Sequence, residues 1–162
     1  MAAHNDEIPA VELISALARL DLEAALAYEA AAGMTAEDAD LAQNLRAFAR
    51  DHRAHVEALN ETLESEGEEP VGPIAERSGA VLAALLGLTG PLGPDVVVVT
   101  LLGNEQLTNL GYDAALSYDW DGETASMLHR FQQDEERHVA WLAEKHERLG
   151  GGREPRGPSP SA

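Results

Sequence analysis

At 162 residues the chain has the length of one domain, with room for a substantial core. Apolar residues make up 44% and charged residues 25%, as in ordinary globular proteins, while a formal net charge of -18 argues against nucleic acid or an anionic membrane surface as partner. There is no cysteine, which excludes disulfides, iron-sulfur clusters and cysteine-ligated iron, and removes any need for an oxidising compartment.

Residues 1–8 carry no basic stretch followed by an apolar one, so they read as a flexible terminus rather than a secretory leader, and the expected location is the cytoplasm. From there Ala and Leu dominate and aromatics are only 4%, a balance that favours helices over strands. The first helix is expected from Pro9, suited to a first turn, to Gly33, suited to a stop. The second starts at Thr35, with Asp38 three residues on as a capping box, and runs to Gly67. Segment 68–94 is a long connection with a short apolar helix around Ile74 to Leu86. Residues 78–104 hold only Asp95 as a charge, but Gly87, Gly90, Pro91, Gly93 and Pro94 cut them well short of the roughly 18 residues a membrane span needs. The third helix follows Pro94 and ends near Ser117, and the fourth runs from an Asp121 cap to Gly150. Residues 150–162 are Gly/Pro/Ser-rich and read as a disordered tail.

One or two residues join helices 1 and 2, and likewise 3 and 4, so each pair is an antiparallel hairpin within an all-α four-helix bundle over 9–149, made of hairpins 9–67 and 95–149. Helix 2 shows the stripe Leu41, Leu45, Phe48, His52, His55, Leu59, spaced 4-3-4-3-4. Helix 4 repeats it with Met127 or Leu128, Phe131, Glu135, His138 and Leu142. In both, ionisable side chains occupy the middle of a core stripe.

Those positions belong to an internal repeat. Phe48, Asp51, His55, Val56 and Leu59 match Phe131, Asp134, His138, Val139 and Leu142 at a constant offset of 83 residues. Asp21, Tyr28 and Glu29 match Glu105, Tyr112 and Asp113 at an offset of 84. A duplicated hairpin with a pseudo-twofold axis brings Asp21, His52 and His55 to face Glu105, Glu135 and His138. Six such groups in a core cost several kcal/mol each if unpaired, and a divalent cation is the economical partner. Oxygen and nitrogen donors without sulfur suit iron, manganese or zinc. Glu23 and Glu29 fall on other faces and read as solvated, as do His129, His146 and the acidic run Glu64, Glu66, Glu68 and Glu69.

Asp134-Glu135-Glu136-Arg137-His138 resembles the DExRH version of the Glu-x-x-His motif of ferritin-like di-iron carboxylate proteins, the rubrerythrin-related bundles, and Glu105 stands in the preceding helix as that family's glutamate does. The resemblance covers about residues 10–148 in architecture. It implies metal ligation by Glu105 and His138, bridging by Glu135, and Asp51 and Asp134 accepting hydrogen bonds from histidine ligands. Tyr28 and Tyr112, two turns from the carboxylates, read as packing aromatics or as supporting or redox-active tyrosines. The resemblance also implies one or two iron ions and oxidoreductase activity of the ferroxidase or peroxidase type, with dioxygen or peroxide as co-substrate. Helix 2 departs from the pattern. It reads DHRAH, with His52 where a bridging glutamate is usual, and helix 1 offers Asp21, one methylene shorter than Glu. Three carboxylates and three histidines carry -3 against the family's -4, so a single ion, an asymmetric pair or a zinc site are the alternatives. A non-catalytic bundle serving as a stress-related or scaffold protein is the competing functional reading, and a membrane-associated bundle a third. A homodimer fits the chain but does not follow from it.

Overall fold

The structure, a computed structural model, describes residues 9–72, 87 and 92–150. It holds four long helices and, among the described residues, no strand: α1 (Ala10–Met34), α2 (Ala39–Ser65), α3 (Pro94–Leu116) and α4 (Gly122–Leu149). The expected flexible terminus 1–8, the short helix around Ile74 to Leu86 and the tail beyond Gly150 lie outside the described residues. No described helix is long and apolar enough to cross a membrane.

Local chemistry sets the helix ends. α1 stops at Thr35, whose hydroxyl and N–H both donate to the Ala31 carbonyl, at 2.8 and 3.0 Å. α2 begins later than expected. Its N-cap is Asp38, whose carboxylate accepts from the Leu41 N–H at 2.9 Å, because Thr35 has spent its hydroxyl closing α1. The turn between the helices is therefore residues 35–38, longer than one or two residues. The second turn, residues 117–121, is longer as well, with Asp121 capping α4 through the N–H groups of Glu123 and Thr124. Gly67 takes a φ of 81°, letting the Glu68 N–H reach back to Leu63 O at 2.9 Å and close α2. Pro94 opens α3.

The helices pack as two antiparallel hairpins, α1 with α2 and α3 with α4, with α1 laid along α3. Ser65 and Glu66 at the end of α2 line a cleft with Asp121 and Glu123 at the start of α4, whereas Pro94 of α3 lies with Met34 at the end of α1. The end of α2 and the start of α3 thus lie at opposite ends of the bundle, about 40 Å apart for a helix of this length. α1 and α3 approach closely at Gly111, where a Cβ would meet Leu20 Cδ1 at 2.9 Å.

Two apolar clusters make the core. One contains Ala24, Tyr28, Leu41, Leu45, Phe48, Val97, Leu101 and Leu142. The other contains Ile14, Leu17, Leu59, Leu63, Tyr112 and Leu128. Each fully buried leucine contributes about 1.5–3 kcal/mol of transfer free energy, enough in sum to carry a polar interruption. That interruption comes at the same height on every helix: Asp21 divides the clusters on α1, His52 and His55 on α2, Glu105 on α3, Glu135 and His138 on α4.

Candidate metal centre

All six predicted ligand positions are brought together in the interior. Asp21, His52, Glu105, Glu135 and His138 are 0% exposed and His55 is 2% exposed. They fall into two overlapping groups whose donor atoms lie within 4.8 Å of one another and could hold a metal ion: Asp21, His52, His55 and Glu135, and His52, Glu105, Glu135 and His138.

The first group is largely satisfied by its own hydrogen bonds. Asp21 Oδ1 faces His52 Nδ1 at 2.8 Å and His55 Nδ1 at 3.0 Å, and Tyr112 donates its hydroxyl to Asp21 Oδ2 at 2.6 Å. Burial would raise the Asp21 pKa, but the two imidazoles outweigh it and hold the carboxyl below its ordinary range. His55 is opposed by burial yet raised to about 9 by Asp21 and Glu135. His52 is likewise held well above the ordinary histidine value, burial being overcome by Glu135, Asp21 and Glu105.

The second group is not satisfied. Tyr28 donates to Glu105 Oε1, which also lies 3.1 Å from His52 Nε2. Glu105 Oε2, both oxygens of Glu135 and Nδ1 of His138 are buried without any hydrogen-bond partner. Glu135 Oε1 has His55 Nδ1 at 3.3 Å and His52 Nδ1 at 3.4 Å, off the line of a hydrogen bond. Burial pushes the Glu135 carboxyl up to about 8, against the pull of His52. Glu105 goes the other way, since His138 and His52 overcome its burial and hold it well below the carboxylate range. Two carboxylates in one pocket are thus driven apart, Glu105 ionised and Glu135 inclined to keep its proton.

Around these six stands a reciprocal frame. Nε2 of His138 lies 3.1 Å from Asp51 of α2, and Nε2 of His55 lies 3.2 Å from Asp134 of α4. Each aspartate therefore takes the outer nitrogen of the other hairpin's histidine, leaving Nδ1 to face the cluster. Phe48 packs on the His138 ring with centroids 4.1 Å apart, and Phe131 stacks on His55 at 4.0 Å. The chain has two phenylalanines, and both are spent covering these imidazoles. The tyrosines follow the same exchange, Tyr28 of α1 reaching Glu105 of α3 and Tyr112 of α3 reaching Asp21 of α1. Burial pushes both phenols well above their ordinary value, so they remain protonated donors.

Sequence reasoning gave no separate role to Arg137, which pairs with both Asp134 and Asp51 and ties the two outer aspartates together. Its place inside the DEERH run was the available signal. Lys145 was missed as well. It is buried against Asp38 at 2.9 Å and Asp40 at 3.1 Å, joining the far ends of α4 and α2. His146 is half-buried rather than on the surface, because α4 packs further round at its end than the stripe implied; His129 is exposed. Glu29 is exposed as expected and pairs with Arg53.

No family model matches the chain, and no curated protein or solved structure matches it.

Proposed function

We propose that this chain is a ferritin-like metalloprotein that binds one or two divalent ions, iron foremost and otherwise manganese or zinc, and supports Fe(II) oxidation or peroxide reduction. The observation that carries the reading is the set of four buried, unpartnered atoms, Glu105 Oε2, Glu135 Oε1 and Oε2 and His138 Nδ1, all on three residues of one donor group. Leaving each such group dry and unpaired costs on the order of 1–3 kcal/mol, more if charged, and one cation accounts for all of them. The duplicated hairpin and the DEERH run add to it.

In this reading Glu105 and His138 hold one ion, Asp21 and His55 serve the second position, and Glu135 and His52 adjoin both. Tyr28 and Tyr112 fix the carboxylates, Asp51 and Asp134 fix the histidines, and Phe48 and Phe131 keep water away. Bound iron would supply one-electron redox chemistry. The donor set also favours a second reading, a redox-silent zinc or vestigial site in a non-catalytic stress-related or scaffold protein, because three histidines replace the usual two.

The test is metal analysis of protein purified without chelators, followed by anaerobic Fe(II) addition to the metal-free protein and admission of air. We expect at least one equivalent of bound metal and growth of ferric absorbance, both lost in Glu135→Gln. Bound metal with no oxidation selects the second reading, and absence of any binding removes both.

A further inference from the structure

The pseudosymmetry pairs His52 with Glu135, so an imidazole stands where the other half of the molecule has a carboxylate. Its two nitrogens face different places. Nδ1 lies 2.8 Å from Asp21 Oδ1 and 3.4 Å from Glu135 Oε1, whereas Nε2 lies 3.1 Å from Glu105 Oε1. His52 thus belongs to both four-donor groups, with Nδ1 beside Asp21 of the first and Nε2 beside Glu105 of the second. A ring nitrogen has a single in-plane lone pair and can serve one ion only. The ring is also held in place. It is 0% exposed and stacked on Tyr28, with centroids 5.4 Å apart and planes at 20°.

We propose that His52 bridges two cations through its ring, Nδ1 to an ion among Asp21, His55 and Glu135, and Nε2 to an ion among Glu105, Glu135 and His138. This rests on the metal-binding reading above and adds to it the number of ions and the group between them. Each ring N–H bond is replaced by a nitrogen–metal bond, both protons leave to solvent, and no electrons change hands. The charge then closes. Asp21, Glu105 and Glu135 bring -3, and His52 as an imidazolate brings the fourth negative charge that two divalent ions require. Glu135, with both oxygens free, spans the same two positions from the other side.

The experiment uses the full-length metal-free protein with Cu(II) as the probe, followed by electron paramagnetic resonance during titration. Two ions per chain are expected, with most of the signal of the first lost as the second enters, because the two unpaired spins couple through the ring. In His52→Gln the coupling disappears and the bound copper remains fully visible. A wild-type protein that takes two ions at full signal, or one ion only, overturns the bridge and leaves metal binding standing. Coupling that survives in His52→Gln also overturns it. If no copper binds at all, the metal-binding reading falls with the bridge. If the variant fails to fold, a wild-type protein that takes two ions at full signal still overturns the bridge.

Discussion

Each histidine of the cluster divides its two ring nitrogens by environment. His55 and His138 turn Nε2 outward to an aspartate from the facing helix and Nδ1 inward, whereas His52 keeps both nitrogens inside. An outward aspartate fixes the tautomer that leaves the inner nitrogen free to accept a metal. Asp51 and Asp134 are themselves about one-third exposed, so their contribution to packing is small. We therefore expect Asp51→Asn to weaken metal affinity roughly 10–100-fold while barely moving the melting temperature of the metal-free protein. Competition with a chromophoric chelator measures the first effect and thermal circular dichroism the second. A loss of stability without a loss of affinity would assign Asp51 to the bundle rather than to the centre.

At the scale of the helix, the sequence periodicities located the inward faces of α2 and α4 but misplaced the start of α2. The stripe from Leu41 to Leu59 is buried throughout, and Leu128 rather than Met127 is the fully buried member on α4. Start signals were less clear, since Thr35 and Asp38 are both good caps and only the hydrogen bonds separate them. Asp38 has a double role, capping Leu41 and pairing with Lys145 of α4, which holds its carboxyl below the ordinary range chiefly through the Leu41 N–H. Removing a cap of this kind costs about 0.5–2 kcal/mol. Asp38→Ala should lower the melting temperature by several degrees and Thr35→Ala by less, both read calorimetrically. Equal losses would return the cap to Thr35.

The whole molecule pays for its centre in the metal-free state, and pH reveals how. His55 is raised from 6.5 to about 9 and Glu135 from 4.5 to about 8, so the folded chain holds protons that the unfolded chain releases. The His55 contribution is complete below pH 6.5 and lost as pH rises through about 9, and the cost of ionising buried Glu135 appears over pH 4.5 to 8. Asp21 and Glu105 are lowered, so their stabilisation is lost as pH falls below the ordinary carboxylate range. Metal-free protein should therefore have a lower urea midpoint at pH 9 than at pH 6. Saturating metal should reverse that order, because ions bind the deprotonated ligands and stabilise the folded state by mass action. A metal-free midpoint that rises between pH 6 and 9 would contradict these assignments.

The sequence by itself determined that the chain is helical, where the apolar stripes run, and which ionisable residues interrupt them, since helix periodicity and repeat offsets are one-dimensional facts. It also marked the likeness between the halves, because Phe48, Asp51 and His55 recur as Phe131, Asp134 and His138. Only the tertiary structure decided that Tyr28 serves the opposite hairpin's glutamate, and that Arg137 and Lys145 join α2 to α4. Those outcomes depend on which helix faces cross and at what height, and spacing along one helix carries no record of the helix opposite. The two ring edges of His52 are the sharpest case, because one imidazole can belong to two donor groups only after four helices have closed around it.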